Sequence, residues 1–182
     1  MRIGDYLYYA PKIRFSEVDL TGKQLPRQFK KRIRGFYLDP AEELLQSGHS
    51  FAAGLLLVSC IDALARLQLH SEEVGNRFKS WIQSEIPSFN DPEIAKMFYV
   101  HFRNGLVHEA RIKSGGEFSL EAETAVNQTP FSLVVNPSAL YKEIEAALTN
   151  FISLIETNEE VRETFVQTHK EEFELELAGA GS

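Results

Sequence analysis

A short stretch of the chain combines three side chains that can do chemistry on a phosphate ester. Arg103 and Asn104 are adjacent and His108 follows after three further residues, in the pattern Arg-Asn-x3-His. Histidine can accept and donate a proton near neutral pH, and arginine stays charged and presents donors that suit phosphate. Asparagine can hold a phosphate oxygen or orient the histidine. These groups suffice for attack of an RNA 2′-OH on its neighbouring phosphate.

A long apolar segment must position this stretch. Residues Ser50–Leu69 are apolar almost all round, which is typical of a central, buried helix of a bundle. Its few polar residues include Ser59, Asp62 and Arg66, spaced i, i+3 and i+7, so they form one narrow stripe. These residues matter because the helix is otherwise apolar.

The helix that carries the motif raises a geometric question. On an ideal helix Arg103 and His108 are about 140° apart around the axis. They share a face only if Gly105 loosens the turn or if Arg103 reaches across. His101 lies seven residues before His108 and does share its face, so it is a candidate auxiliary residue.

The motif resembles the Arg-x4–6-His signature of the HEPN superfamily, where a polar residue, often Asn, commonly follows the arginine. An acid on an earlier helix often contacts the motif arginine in that family, and Asp62 is its match here. The resemblance covers roughly Asp39 to Glu156. It implies metal-independent cleavage of single-stranded RNA, in prokaryotic defence, stress response or a toxin–antitoxin pair. The expected catalytic residues are Arg103, Asn104 and His108, supported by Asp62, Ser59 and His101.

The resemblance also implies partners. Two protomers would bring their motifs together, because one histidine cannot easily serve both sides of an in-line displacement and a two-fold dimer supplies a second. An antitoxin or other defence-system protein is a further candidate partner. The motif helix is more apolar than one buried stripe requires, which predicts a dimer surface there. The residues concerned are Met97, Phe98, Tyr99, Val100 and Phe102.

Other interpretations of these residues stay open. Arg103 with Asp62 can be a buried ion pair that orders the bundle, and His108 can interact with the dipole at a helix end. The protein would then be a non-catalytic module that binds RNA or protein. Ala110 stands where some HEPN toxins have a tyrosine, two residues after the histidine, and this departure from the pattern favours the non-catalytic interpretation.

Thiol and metal chemistry are less well supported. Cys60 lies in the apolar helix, where cysteine usually packs as a small hydrophobe. His101 and His108 lack the i, i+4 spacing of a helical metal-binding pair, and no third ligand is evident. We therefore expect neither a metal nor a cofactor.

Charge is unevenly distributed along the chain. The net charge is −7, yet residues 1–37 hold nine Lys and Arg against three Asp and Glu. A dense basic cluster there is expected to bind RNA phosphates, although a solvated surface segment is the alternative. Its residues are Arg27, Lys30, Lys31, Arg32 and Arg34.

The remaining composition indicates a soluble protein of the cytoplasm. One cysteine excludes an internal disulfide framework and a cysteine-rich zinc site. The N-terminus does not resemble a signal peptide, and the longest apolar run, Phe51–Val58, is too short to span a membrane. No membrane association is expected.

The predicted fold is mainly α: an HEPN-like bundle of about five to six helices with a small β-hairpin after the motif helix. Residues 1–37 are expected to be a basic extension of short extended pieces within the same domain, residues 38–177 the helical domain, and residues 178–182 an appended linker. Helices are predicted from Asp39-Pro40 to about Gly48, over Ser50–Leu69, from Ser71 to about Ile86, from Asp91-Pro92 towards His108, from Asn136-Pro137, and over Glu159–Leu177. The hairpin would turn at Ser114-Gly115-Gly116, and Phe131–Val135 would add a strand.

Overall fold

The computed structural model describes residues 1–19, 23–69 and 73–180, and the predicted helix cap Ser71 lies outside them. The protein is mainly α-helical with two small sheets, as the sequence predicted. Its helices are α1 (Leu25–Ile33), α2 (Asp39–Gln46), α3 (Ser50–Gln68), α4 (Val74–Glu85), α5 (Pro92–Phe98), α6 (Asn104–Glu109), α7 (Pro137–Thr157), α8 (Glu159–Glu172) and α9 (Glu174–Ala180). Its strands are β1 (Arg2–Ile3), β2 (Tyr6–Ala10), β3 (Ile13–Arg14), β4 (Gly116–Phe118), β5 (Val126–Gln128) and β6 (Leu133–Val135).

The chain divides into two compact units. Unit 1 consists of residues 1–36 and 148–182, and unit 2 of residues 37–147. The sequence analysis grouped residues 38–177 as one helical domain, whereas the structure places the chain from residue 148 onwards with the N-terminal segment. Aromatic packing explains this grouping, because Phe29 of α1 contacts both Phe151 and Phe165.

The N-terminal part of unit 1 contains more regular secondary structure than was predicted for residues 1–37. Strands β1, β2 and β3 form an antiparallel meander, as the short extended pieces suggested. The prediction that this segment is a poor helix former was wrong for α1. Leu25, Phe29 and Ile33 recur every four residues and are all buried, so an apolar stripe forms a helix between the basic residues.

Unit 2 is organised around α3, which packs between α2 and α4. The buried side chains of α3 include Leu57, Ile61 and Leu64. In α4, Trp81 is buried and its indole N–H donates to Gln68 at 2.9 Å. The predicted central apolar helix is therefore confirmed.

In the described part of the chain, α3 is also the one helix long and apolar enough to cross a membrane. Half of its apolar window is buried inside the protein. A core helix of a soluble protein has the same character, so packing accounts for the apolar composition.

Several predicted helix boundaries follow from local chemistry. The Asp91 carboxylate accepts from the Glu93 N–H and begins α5, and the Asn136 side chain accepts from the Ser138 N–H at the start of α7. Helix α2 begins at Asp39, as predicted, although Asp39 does not cap it. The preceding residue, Leu38, ends a π-helical turn, Arg34–Leu38, and is itself helical, so Asp39 lies within a helical stretch.

The small β insertion after the motif helix has a different topology from the predicted hairpin. Strand β4 begins at Gly116 and pairs in parallel with β6, and the antiparallel pair is β5 with β6. The turn at Ser114-Gly115-Gly116 therefore leads into β4 and does not join two strands. Gly115 has φ +95°, which a glycine adopts readily and which redirects the chain at this point. The predicted strand ending at Val135 is present as β6.

Candidate functional site

Asp62 of α3 anchors the motif arginine. The Arg103 Nε and Nη2 atoms each lie 2.9 Å from the same Asp62 oxygen, Oδ2. The side chains are only 12% and 25% exposed, respectively, so water weakens this pair less than it would a surface ion pair. The lone acid on the apolar helix thus has the partner that the motif resemblance implied.

The third nitrogen of the guanidinium group faces the rest of the motif. Nη1 of Arg103 lies 3.0 Å from His108 Nε2 and donates to the Asn104 side-chain oxygen at 3.3 Å. Arginine has no acceptor atom, so in a hydrogen bond between these two groups Arg103 is the donor and Nε2 of His108 the acceptor. The structure therefore brings Arg103, Asn104 and His108 together.

The backbone reaches this arrangement by a route that the sequence did not predict. A π-helical turn, Tyr99–Arg103, ends at the motif arginine, and the Asn104 N–H donates to the Tyr99 carbonyl five residues back. Helix α6 after it is regular, so Gly105 does not loosen the turn. The length of the Arg103 side chain closes the remaining gap to His108.

Gly105 has a different role, which is to leave space. A Cβ atom at this position would lie 2.5 Å from the backbone oxygen of Arg111. The chain returns over the glycine because Ala110 adopts a left-handed conformation, with φ +55°, and the N–H groups of Ala110 and Arg111 donate to the Gly105 carbonyl. The segment after the motif is thereby held against the helix that carries it.

Charged side chains continue beyond His108. Glu109 accepts from Arg111 and lies within ion-pair distance of Lys113, at 2.7 Å in each case. The hydrogen bond from Lys113, together with the nearby positive charges of Lys113 and Arg111, lowers the pKa of Glu109, although desolvation opposes this effect. The positive charges of Arg111 and Lys113 therefore neutralise the negative charge of Glu109.

Tyr99 is a neighbour of the site that the motif did not predict. The Arg103 guanidinium carbon lies 5.7 Å from the centre of the Tyr99 ring, within the range of a cation–π interaction. Tyr99 is four residues before Arg103, a spacing that places side chains side by side on a helix. That spacing was the available sequence signal.

Two predicted supporting residues make other contacts. The Ser59 hydroxyl donates to the Leu55 carbonyl within α3 at 2.9 Å. The His101 ring lies against Gly115, where an added Cβ would be 3.1 Å from ring carbon Cε1, and its Nδ1 is buried without a hydrogen-bond partner. The structure therefore gives both residues packing or local backbone roles, and their support of the motif stays a prediction.

The predicted dimer surface needs correction. Phe98 and Phe102 are fully buried in unit 2, because they pack against each other with their ring centres 5.1 Å apart. Val100 and Val107 remain exposed, at 38% and 45% respectively. Both are large apolar side chains, and Val107 lies within the motif while Val100 is three residues before it.

The predicted RNA-binding cluster lies in unit 1, and its residues differ in their exposure and in their contacts. Arg32 donates to the backbone carbonyl of Tyr9, and its guanidinium carbon lies 4.8 Å from the centre of the Phe173 ring. Arg27 is 75% exposed and lies 4.0 Å from Glu156, and Lys31 is also exposed. Arg32 thus has a structural role that a count of positive charges does not reveal. Phosphate binding by this cluster, with Lys30 and Arg34 as its half-buried members, stays a prediction.

Two buried titratable groups lie away from the motif in sequence. In unit 1 the Tyr9 hydroxyl is 2.7 Å from His169 Nε2, and burial, with a smaller effect of the Arg32 charge, lowers the pKa of His169 to about 3. Burial raises the pKa of Cys60, so its thiol keeps its proton at neutral pH and lacks the character of a nucleophile. Within the described ranges, no three His, Cys, Asp or Glu side chains are grouped so as to hold a metal ion.

No protein-family model, curated protein or solved structure matches this chain.

Proposed function

We propose that this protein is a metal-independent endoribonuclease that cleaves single-stranded RNA by attack of a 2′-OH on the neighbouring phosphate. The observation that supports it is the contact between Arg103 Nη1 and His108 Nε2, with the guanidinium anchored by Asp62. It places the exposed imidazole of His108 beside a fixed guanidinium group, which is the type of group that binds phosphate. Through the motif resemblance, the proposed setting is prokaryotic defence, stress response or a toxin–antitoxin pair.

The geometry suggests how RNA would activate the base. Without RNA, the lone pair of His108 Nε2 is occupied by the Arg103 N–H. A phosphate oxygen that accepts from Nη1 would take over this hydrogen bond, because a charged acceptor binds arginine more strongly than a neutral imidazole does. His108 Nε2 would then be free to accept the proton of the 2′-OH. Arg103 would stay beside the phosphate and stabilise the charge that develops in the transition state.

Asn104 and Asp62 would position these groups. The Asn104 oxygen accepts from Arg103, which leaves its amide N–H groups to donate to a phosphate oxygen. Asp62 holds the other edge of the guanidinium group and limits its orientation. We expect Asp62→Asn to lower the cleavage rate less than the loss of Arg103 or His108, because Asp62 acts through Arg103.

We further propose a two-fold dimer with a composite site. One His108, in its neutral form, would accept the proton of the 2′-OH, and the partner's His108, in its protonated form, would give its proton to the leaving 5′-oxygen. Val100 and Val107 supply exposed apolar surface beside the motif. Replacing both by glutamine should dissociate the dimer and reduce cleavage, measured by light scattering and by a cleavage assay. Val74→Gln is the matched control, since Val74 is 44% exposed at the start of α4.

The decisive experiment is a cleavage assay with excess chelator. The protein should cut single-stranded RNA and leave DNA of the same sequence intact, because DNA lacks the 2′-OH. The products should carry a 2′,3′-cyclic phosphate and a 5′-hydroxyl. Cleavage that requires a metal ion, or products with 5′-phosphate ends, would refute the mechanism.

Substitutions test the assignment of residues. His108→Ala and Arg103→Ala should each lower the cleavage rate by about 10²–10⁴-fold while RNA binding persists. His49→Ala is the matched control, because His49 is an exposed histidine of the same unit, at the start of α3. Equal activity of His49→Ala and His108→Ala would remove the support for a catalytic histidine.

The alternative function is a non-catalytic module that binds RNA or protein. The low exposure of Arg103 favours it, since a guanidinium group that is mostly buried and paired with Asp62 is also what a structural ion pair requires. In that case His108→Ala would change neither RNA cleavage nor stability, whereas Arg103→Ala would mainly destabilise unit 2.

A further inference from the structure

Helix α4 presents one of its faces to the Tyr99 ring beside the motif arginine. Gly75, Phe78 and Lys79 are spaced i, i+3 and i+4, so they lie on the same face of this helix. A Cβ at Gly75 would lie 2.9 Å from the Tyr99 hydroxyl, and the Phe78 and Tyr99 ring centres are 5.6 Å apart. The Lys79 ammonium lies 6.0 Å from the centre of the same tyrosine ring.

Tyr99 therefore has two cationic neighbours from two helical segments. The ring centre is 6.0 Å from Lys79 and 5.7 Å from Arg103, so the two cations are at most about 12 Å apart. Neighbouring phosphates on one nucleic-acid strand fall within such a distance. A cation held near an aromatic ring and half-buried also loses less side-chain freedom when it binds an anion.

The two cations differ in how their charge is compensated. The Arg103 charge is paired with Asp62. Among the residues that the structure describes, no carboxylate pairs with Lys79. By contrast, Lys96 is paired with Glu93, and Lys113 with Glu109. Lys79 is thus a source of net positive charge next to the motif.

We propose that Lys79 is a substrate-positioning residue that binds an RNA phosphate adjacent to the one held by Arg103. This inference rests on the proposed function and extends it by a second phosphate-binding position. Lys79 would fix the path of the strand and thereby place the reacting 2′-OH at His108. It would contribute to RNA binding without taking part in proton transfer.

The test measures RNA binding in the His108→Ala background, so that cleavage does not interfere. The probe is a fluorescently labelled single-stranded RNA, titrated at several salt concentrations. Lys79→Gln should weaken binding by about 5–10-fold at low salt and reduce the magnitude of the slope of log affinity against log salt by about 0.7, the value for one phosphate contact on a single strand. Lys79→Arg should retain most of the affinity and the slope.

Lys142→Gln is the matched control, because it removes the same charge from an exposed position in unit 2. If Lys79→Gln and Lys142→Gln have the same affinity and slope, the inference is wrong although the protein binds RNA. Loss of the slope in Lys79→Gln, with no cleavage by the chain that retains His108, would support the phosphate contact and refute the nuclease. Absence of RNA binding at all salt concentrations would overturn both proposals.

Discussion

A double-mutant cycle on Asp62 and Arg103 measures how strongly α3 holds the motif. Asp62→Ala, Arg103→Ala and the double variant are compared with the unaltered chain. Two N–H donors at 2.9 Å share one carboxylate oxygen, and both side chains are largely shielded from water. Hydrogen bonds to charged groups contribute about 1.5–3 kcal/mol, so we expect a coupling energy of about 2 kcal/mol.

Urea unfolding followed by tryptophan fluorescence is the assay. Trp81 is the one tryptophan of the sequence and is buried in unit 2, so it reports on the unit that contains the ion pair. This matters because a chain with two compact units need not unfold in one step, and a local probe avoids mixing the two transitions.

An exposed ion pair of the same unit provides the control. Lys96 and Glu93 lie 3.3 Å apart with side chains 62% and 72% exposed. Such pairs contribute about 0.5 kcal/mol, and less at high salt. A coupling energy between Asp62 and Arg103 no larger than that of this pair would refute the idea that Asp62 fixes the guanidinium group.

Three further predictions concern other residues. Folding lowers the pKa of His169 from about 6.5 to about 3. The unfolded chain therefore binds a proton more readily than the folded one between these two pH values. The contribution of neutral His169 to the free energy of unfolding is complete above pH 6.5 and decreases by about 1.4 kcal/mol per pH unit as the pH falls towards 3. His169→Gln should therefore flatten the pH dependence of urea unfolding followed by circular dichroism; identical slopes would contradict this. Gly105→Ala should destabilise unit 2 by about 1–3 kcal/mol and reduce cleavage, since the new methyl group meets the Arg111 carbonyl; wild-type Trp81 unfolding and activity would argue against it. Ala110→Gly should instead raise the stability of unit 2 by about 0.5–1 kcal/mol in the same unfolding assay, because glycine tolerates the left-handed conformation, and a loss of stability would count against this.

The helical part of the fold was largely predictable because its signals are local. Asp91 and Asn136 cap helices next to a proline, and the composition of α3 requires burial. The topology of the second sheet was not predictable in the same way. The partner of β4 is β6, fifteen residues further on, and no turn between them specifies a parallel pairing.

The grouping of the chain termini also depended on tertiary contacts. In unit 1, Phe29 meets Phe151 and Phe165, residues more than a hundred positions away in the sequence. The apolar stripe of α1 was missed because basic residues alternate with it in the sequence. A count of charges also could not distinguish Arg32, which contacts the aromatic core, from its exposed neighbours. The structural role of Arg32 becomes visible only from the packing of the folded protein.

Within the candidate site, predictability depends on how strongly burial constrains each residue. The motif resemblance implied the pairing of Asp62 with Arg103, and burial explains why the contact forms, because an acid on a buried helix needs a partner. The position of Lys79 could not be inferred in this way, since a half-exposed lysine is stable with or without an aromatic neighbour. Its place beside Tyr99 depends on how α4 packs against the π-helical turn Tyr99–Arg103. A residue that binds phosphate but need not be buried produces no recognisable pattern in a single sequence. Its role must therefore be tested by the salt dependence of binding, which responds to the contact itself and not to the stability of the fold.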